Sequence, residues 1–395
     1  MSSAASGYGS LLRVPGAAGF FLAAAAGRVG IAMTGLSLVW LVHARTGSYG
    51  TAGLATAGFA LAEGLIGPQA ARLIDKFGQT RILPFSLIAH GLAVTGVLAA
   101  TSPAALIVSA TCAGAAVPQL GALSATRWAY LLRQERATEL LPAAFSLESL
   151  ANATAFLLGP VLATALGAAG DEALATAIAA ALILSAGGIL AAQTRTARRP
   201  GRGHTDGTGT GRALLRPGFV LLALLNLAIG LYFGTMSVSV TAFATGHGAP
   251  AAAPPILAAS SLSGLLSGWL YGRRRHRAPA HLQLVIASAY LTGTGLLLPL
   301  APSAIWLATA VVISGAAVPP TLVLLNVLSE KSVPPAALTQ ALTWNNSASA
   351  AGSALAASLA GRIADHLGAS AAFTLAPAAG LLLLLLSIAA RHRYT

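Results

Sequence analysis

Charged residues are scarce in this chain. Only 8% of its 395 residues are Asp, Glu, Lys or Arg, whereas 56% are hydrophobic. A soluble domain carries about 25% charged residues, so this composition excludes a soluble enzyme. Acidic residues are fewer than basic residues, 10 against 23. The basic residues nevertheless lie in short loops between apolar runs and not on one face, which argues against nucleic-acid binding.

Cysteine, lysine and catalytic motifs are also scarce. The single cysteine, Cys112, excludes an intrachain disulfide bond. The only two lysines, Lys76 and Lys331, lie in no Walker pattern, so the sequence contains no recognisable ATP site. It also contains no H-E-x-x-H pattern and no cluster of metal-ligand residues. We therefore expect no enzymatic activity, no bound metal and no cofactor.

Long apolar runs dominate what remains. A membrane-spanning helix needs about 20 apolar residues. Dividing the chain at charges, prolines and glycines predicts twelve spans, at 16–42, 50–71, 82–100, 104–127, 141–169, 172–192, 217–242, 251–272, 280–300, 303–329, 335–361 and 369–390. All but three of the 23 Lys and Arg residues then fall on one side. The positive-inside rule makes that side cytoplasmic, so we predict a multi-pass protein of the cell (inner) membrane with both termini in the cytoplasm.

A short phrase occurs once in each half. Residues 114–118, Gly-Ala-Ala-Val-Pro, recur at 315–319, and Asn152 and Gly159 have counterparts in Asn345 and Gly352. Two similar apolar halves that run in the same direction are typical of a duplicated membrane carrier, with its substrate site between the halves. We expect an N-terminal half at 1–192, a cytoplasmic Gly/Thr/Arg-rich linker at 193–216 and a C-terminal half at 217–395.

The end of the second span carries a motif, from Ala71 through Asp75, Lys76 and Gly78 to Arg81. It resembles the G-x-x-x-D-R/K-x-G-R/Q motif between spans 2 and 3 of the major facilitator superfamily, with alanine in place of the first glycine. The resemblance implies an all-α fold of twelve transmembrane helices in two pseudo-symmetric six-helix bundles.

Two further segments refine this resemblance. The opening region, which includes Thr46-Gly47-Ser48, is similar to actinobacterial carriers of that family that are regarded as exporters. Gly159-Pro160 is similar to the core of the antiporter motif, although Ala163 and Thr164 replace its closing glycines. Ala110 stands where the family has its span-4 arginine. The resemblance implies efflux by antiport, and these departures weaken that implication.

The motif residues form the predicted cytoplasmic gate. Gly78 permits a short turn, and we expect Asp75 to face an arginine at the end of span 4, Arg127 or Arg133. Such a pair would latch the cytoplasmic side. The alternative is a carboxylate at a helix end that is merely solvated by nearby arginines, in a surface pair worth about 0–1 kcal/mol.

Ionisable groups inside spans are costly and are functional candidates. Arg28 and Glu63 fall near the membrane midplane on adjacent antiparallel spans, so we expect them to pair. Glu63 would then titrate as the coupling group, tuned by Arg28, or Arg28 would bind an anionic substrate. A permanent structural pair is the alternative. Glu148, near the cytoplasmic end of span 5, has the same two interpretations: an ion pair with Arg127 or Arg133, or a role in proton coupling.

Amide and aromatic side chains are the remaining site candidates. Asn152 and Asn345 either line a cavity or bridge helices. The other candidates lie in spans 7, 10 and 11: Asn226, Tyr232, Phe233, Asn326, Trp344 and Asn346. We expect His90 to be a hydrogen-bonded packing residue, and Pro118 and Pro319 to interrupt their helices. The small-residue stripe of span 8, Ser260 to Gly272, is expected to pack within its own half.

These observations favour a monomeric secondary carrier in the lipid bilayer, which exports a small amphipathic organic compound against protons by alternating access. Few polar groups line the expected cavity, which suits a mostly apolar ligand. The first alternative is uptake or facilitated diffusion of an organic anion held by Arg28. An alternative of another class is a membrane receptor or assembly protein that does not transport.

Overall fold

The computed structural model describes residues 8–197, 214–249, 252–274 and 278–394, and every regular element in these ranges is helical. The α-helices are α1 Tyr8–Arg13, α2 Ala17–Thr46, α3 Tyr49–Phe77, α4 Gln79–Ala99, α5 Pro103–Ala116, α6 Leu120–Gln134, α7 Leu141–Ala168, α8 Glu172–Ala192, α9 Pro217–Gly246, α10 Ala253–Arg273, α11 Ala280–Gly295, α12 Ala304–Gly315, α13 Val318–Ser332, α14 Leu338–Leu367, α15 Ala369–Ala372 and α16 Leu375–Tyr394. Single 3₁₀ turns, Thr138–Leu140 and Pro335–Ala337, precede α7 and α14.

Eight helical segments of the described chain are long and apolar enough to cross a membrane. Three of them combine neighbouring helices: α5 with α6, α12 with α13, and α15 with α16. The other four predicted spans coincide with α3, α10, α11 and α14. Helix α11 has 16 residues, and the other three are rich in glycine, alanine and serine, which lowers their hydropathy. The protein is therefore an all-helical, multi-pass membrane protein, and the count of twelve spans stays a prediction.

The chain forms two compact units. Unit 1 contains the described residues within Met1–Ala144, Ala151–Thr205 and Pro335–Thr343. Unit 2 contains those within Phe145–Leu150, Asp206–Pro334 and Trp344–Thr395. Helix α14 thus begins in unit 1 and continues in unit 2. Most of the predicted linker, 198–213, lies outside the described residues, so the domain boundaries at 192 and 217 stay predictions.

The repeated phrase breaks a helix in each unit. In unit 1, α5 ends at Ala116 and α6 begins at Leu120. Pro118 has no N–H to donate, and the Val117 N–H turns back to the Gly114 carbonyl at 3.3 Å. In unit 2, α12 ends at Gly315 and α13 begins at Val318. Both prolines therefore interrupt their helices, as expected.

The glycine of each copy allows two helices to touch through their backbones. A Cβ at Gly114 would collide with the backbone of Phe59 in α3, and a Cβ at Gly315 would lie 2.5 Å from Ser260 Oγ in α10. Gly114 and Gly315 are 201 positions apart (315 − 114), and so are Phe59 and Ser260 (260 − 59). Equivalent helices of the two units therefore meet at equivalent residues, and positions in these helices correspond at this offset.

The stripe of α10 packs within unit 2. Cβ atoms at Gly264 and Gly268 would lie 3.4 and 3.0 Å from the Pro319 ring. The small side chains of the stripe therefore let α10 approach the break between α12 and α13.

Unit 1 also contains an arginine cap at the end of α4. The Arg45 guanidinium, at the end of α2, donates to the carbonyls of Val97 (2.9 Å), Leu98 (2.7 Å) and Ala100 (2.8 Å). A helix leaves its last carbonyls without partners, and a cation satisfies them and opposes the helix dipole. Arg45 therefore fixes α2 to the end of α4.

Candidate functional site

The motif predicted to form a gate lies at the junction of α3 and α4. Gly78 alone separates the two helices, with φ 95° and ψ 147°. This positive φ is accessible to glycine and strained for other residues. The turn places Asp75 in the last turn of α3 and Gln79 in the first turn of α4.

Asp75 caps a helix that begins far along the chain. Its carboxylate Oδ2 accepts a hydrogen bond of 2.9 Å from the backbone N–H of Gln340, the third residue of α14. The carboxylate is buried, at 9% exposure. The first N–H groups of a helix lack intrahelical partners and carry the positive end of its dipole, so a carboxylate there is stabilised. Thr126 of α6 makes a second contact to this segment, 3.1 Å from Thr339 Oγ1.

Arg127, one of the two arginines expected opposite Asp75, does not pair with it. Its side chain is fully buried, and all its hydrogen-bond acceptors are neutral oxygens. Nε donates to Gln79 Oε1 at 2.7 Å, and Nη1 donates to Thr196 Oγ1 at 2.9 Å. The remaining donors bind the carbonyls that end α8, those of Leu190 and Gln193. A cation there is stabilised by the negative end of the helix dipole, so Arg127 is fixed on α8 and cannot reach Asp75.

The other motif cations stand apart from this network. Lys76 and Arg81 are exposed. The Lys76 ammonium lies 5.1 Å from the centroid of the Phe77 ring. Of the predicted gate residues, the structure thus brings Asp75 to the start of α14, keeps Gly78 in the turn before α4, and places Arg127 on the end of α8.

The expected pair of Arg28 and Glu63 is not formed. In the part of the chain that the structure describes, Glu63 makes no hydrogen bond or salt bridge. Arg28 is 6% exposed, and its Nε lies 3.4 Å from where a Cβ on Gly121 would stand. The absent side chain of Gly121 leaves room for the guanidinium against α6, so Arg28 turns toward that helix.

Glu63 lies on the buried stripe of α3, half-buried itself. One turn before it, Phe59 meets Gly114 of α5. One turn after it, a Cβ on Gly67 would lie 2.8 Å from the Gln119 side chain. Residues four apart share one helix face, so the turn of α3 that carries Glu63 faces the break between α5 and α6. In unit 2, the equivalent position (63 + 201) is Gly264.

Predicted site residues of unit 2 divide by exposure. Tyr232 is buried, and its hydroxyl donates to Ser314 Oγ at 2.7 Å, whereas the neighbouring Phe233 is 38% exposed. Asn226 is buried and donates to the Leu222 carbonyl at 2.8 Å. Buried Glu148 lies in the segment Phe145–Leu150. The half-buried members of the set are Asn326 and Trp344, and Asn346 is exposed.

The repeat pair Asn152 and Asn345 does not share one environment. Asn152, in unit 1, is exposed. Asn345, in unit 2, is 2% exposed and donates to Ser329 Oγ at 2.7 Å. The position equivalent to Ser329 in unit 1 (329 − 201) is Trp128, which packs on Phe20 with ring centroids 4.9 Å apart. Asn345 therefore bridges helices, and its counterpart has no matching acceptor.

No three His, Cys, Asp or Glu side chains among the described residues lie close enough to bind a metal ion. A family model, the Major Facilitator Superfamily, matches residues 20–357. The chain belongs to the major facilitator superfamily. It is therefore a multi-pass membrane transporter, and its family consists of transporters and not of enzymes.

Solved structures agree with this superfamily fold. The human organic anion transporter MFSD10 (TETRAN) has a TM-score of 0.69 at 17% identity, over 94% of this chain and 98% of that one. The Escherichia coli fucose:proton symporter FucP has a TM-score of 0.72 at 12% identity, over 94% and 98%. A bacterial homologue of the iron transporter ferroportin, in an outward-facing state, has a TM-score of 0.76 at 13% identity, over 95% and 99%. No curated protein matches the sequence.

Sequence reasoning missed several partners in this superfamily member. Gln340, Thr196 and Thr339 carried no signal as gate residues, because all three contacts are made through a backbone group or a small hydroxyl. Gln79 could have been found, because it occupies a named position of the motif next to Gly78.

Proposed function

We propose that this transporter is a proton-coupled secondary carrier that exports a small amphipathic organic compound by alternating access. The observation that carries the proposal is Glu63, a carboxylate in mid-helix that forms no ion pair with any residue the structure describes. A permanent structural pair with Arg28 would have favoured the alternative interpretation. A carboxylate without a fixed partner is instead suited to bind and release a proton, and an ionisable group within a span is a functional candidate.

The asymmetry of the two units supports this role. Glu63 lies opposite the helix break of unit 1, whereas Gly264 occupies the equivalent position of unit 2. The coupling acid therefore belongs to one half only. Glu148, buried at 4% exposure, is the second candidate acid.

The substrate proposal rests on the side chains available to contact a ligand. Phe233, Trp344 and the amides Asn326 and Asn346 are all partly accessible and combine apolar surface with few polar groups. Such a surface suits a mostly apolar compound with one or two polar anchors. The carrier would work as a monomer in the lipid bilayer, with both termini in the cytoplasm, on the loop charges given above.

The hydrogen bond from Gln340 to Asp75 supports a latch. The start of α14 belongs to unit 1 and the rest of α14 belongs to unit 2. We propose that the bond is made while the cytoplasmic side is closed, and that it breaks when that side opens. Lys76, Gly78 and Arg81 would shape the turn between α3 and α4. Arg127 would hold the start of α4 through its hydrogen bond to Gln79.

A second candidate function is uptake or facilitated diffusion of an organic anion. Buried Arg28 favours it, because a guanidinium binds carboxylates and phosphates through two parallel hydrogen bonds. The fold is also similar to that of a human organic anion transporter. In this case organic anions, and not neutral or cationic compounds, would raise the melting temperature of the purified carrier.

Reconstitution in proteoliposomes tests the proposal. A thermal-shift screen first identifies a ligand, and counterflow of the labelled ligand then separates a carrier from a receptor or assembly protein. Glu63→Gln is expected to abolish gradient-driven transport and to leave counterflow within about twofold, because exchange needs no group that changes charge. Glu135→Gln, an exposed acid, is the matched control. Full gradient-driven transport by Glu63→Gln would exclude this coupling role.

A further inference from the structure

The break between α5 and α6 takes the helical donors away from several carbonyls, among them those of Ala113 and Ala116. In an unbroken helix the Val117 N–H would bind the Ala113 carbonyl, but it donates to Gly114 at 3.3 Å. The Leu120 N–H would bind the Ala116 carbonyl, but it donates to the Pro118 carbonyl at 2.8 Å. A buried carbonyl without a donor costs about 1–3 kcal/mol, so these two groups need other partners.

Two side chains of α4 supply them. Ser86 Oγ donates to the Ala116 carbonyl at 2.7 Å, and His90 Nδ1 lies 3.0 Å from the Ala113 carbonyl. Because a carbonyl oxygen only accepts, Nδ1 carries the proton. Ser86 and His90 are four residues apart and therefore share one face of α4. His90 is fully buried, and its Nε2 has no hydrogen-bond partner among the described residues, so within them the ring is held through Nδ1.

In unit 2, the side chains that bond the carbonyls at the break come from two helices, α10 and α11. The Val312 carbonyl, whose helical donor would be Ala316, accepts from Ser263 Oγ of α10 at 2.8 Å. The Ile313 carbonyl accepts from the Tyr290 hydroxyl of α11 at 3.1 Å. Both breaks are thus held by neighbouring side chains, but only the break of unit 1 faces an acid.

We propose that Ser86 and His90 are positioning residues for transport, which hold the break between α5 and α6 against the turn of α3 that carries Glu63. The transport part of this inference rests on the proposed role of Glu63, and the positioning part does not. Glu63 faces the segment between Gly114 and Gln119, so a shift of that segment changes the surroundings of the carboxylate.

Few other titratable groups lie on the helices that surround Glu63. The titratable groups on the helices packed against α3 are Arg28, His43, Arg45, Arg81, His90 and Cys112. Arg81 and Cys112 are exposed, and Arg45 is bound to the end of α4. Arg28 and His90 are the buried members of this set.

The positioning part is tested by hydrogen exchange of the purified carrier in detergent, which needs neither substrate nor gradient. Ser86→Ala and His90→Leu each remove one donor. Amides of residues 111–123 are expected to exchange about three- to tenfold faster in each variant, the effect of one lost hydrogen bond on local opening. His90→Asn places an amide donor near the position of Nδ1 and is expected to restore slow exchange. Unchanged exchange in the Ser86→Ala, His90→Leu double variant would overturn the proposal.

The transport part is tested by the pH profile of gradient-driven transport. The double variant is expected to move the midpoint by about half a pH unit or more, because the surroundings of Glu63 change. The single variant His90→Asn, which keeps Ser86, should have the same midpoint as the wild type. The matched control is Ser263→Ala with Tyr290→Phe, which should loosen residues 311–318 and leave the midpoint unchanged, because Gly264 replaces the acid.

The two proposals fail separately. If Glu63→Gln retains gradient-driven transport while the double variant loosens residues 111–123, the coupling role of Glu63 is lost and the positioning of the break stands. If the midpoint stays in place although exchange is faster, Ser86 and His90 are structural only, and their role in transport is refuted.

Discussion

The Asp75 carboxylate accepts the backbone N–H of Gln340 at 2.9 Å, across 265 positions of the chain. A side chain from the end of one helix thereby caps the start of another. The strength of such a cap depends on its acceptor oxygen and on its negative charge, and these two contributions can be separated by substitution.

We predict that Asp75→Ala shifts the resting population toward the form that is open to the cytoplasm. An N-cap is worth about 0.5–2 kcal/mol, and about 1 kcal/mol changes a population ratio about fivefold. Asp75→Asn keeps an acceptor oxygen and should shift the ratio less. Double electron–electron resonance between spin labels at Arg136 and Lys331, both exposed, measures the ratio of the open to the closed population. Asp365→Ala, an exposed acid before Gly368, is the control, and an unaltered distance distribution in Asp75→Ala would refute the latch.

Among the residues that join α6 to α4 and to the end of α8, Arg127 is predicted to be the one whose replacement lowers stability most. Arg127→Met leaves Gln79, Thr196 and two carbonyls without their donor, at about 1–3 kcal/mol for each buried acceptor. The apparent melting temperature in detergent should fall by about 5 °C or more. Arg127→Lys should recover part of the loss, because an ammonium cannot reproduce the planar fork of the guanidinium. Exposed Arg81→Met should change nothing, and an equal loss in both variants would contradict the assignment.

The two glycines of the repeated phrase should differ in their tolerance of alanine. A Cβ at Gly114 meets the Phe59 backbone, which cannot move without shifting α3. A Cβ at Gly315 meets the Ser260 hydroxyl first, 2.5 Å away, and that group can rotate. Gly114→Ala should therefore cost at least about 1–3 kcal/mol, the range for an overpacked core, and Gly315→Ala less. Thermal unfolding of both variants in one detergent tests the order, and Gly315→Ala in a Ser260→Ala background should be nearly neutral.

Membrane orientation is predicted from the loop charges. In a Cys112→Ala background, a cysteine at Arg136 should react with an impermeant maleimide only after the cells are opened. A cysteine at Asp171, in the exposed loop between α7 and α8, should react in intact cells. The reverse pattern would overturn the orientation.

The helices and their breaks could be predicted from the sequence, because apolar length and proline act locally. Partners across helices could not. Asp75 is marked by its motif, but a backbone N–H has no sequence signature. The depths of Arg28 and Glu63 suggested a pair, but the absence of a side chain at Gly121, which leaves room for the guanidinium of Arg28 beside α6, has no signature of that kind in the sequence. The repeat predicted equal roles for Asn152 and Asn345, but Trp128 replaces the hydroxyl that binds the second of them.

The contact between Arg127 and the residues after α8 determines where the polypeptide can be divided. Thr196 and Ala197 are 2% and 5% exposed, and Thr196 also fills the space beside Gly16. A cut after Ala192 would transfer two of the acceptors of Arg127 to the wrong fragment. A cut at Gly207 would leave the buried segment intact. Co-expressed halves of this carrier should therefore reassemble from fragments 1–207 and 208–395, and much less well from fragments 1–192 and 193–395.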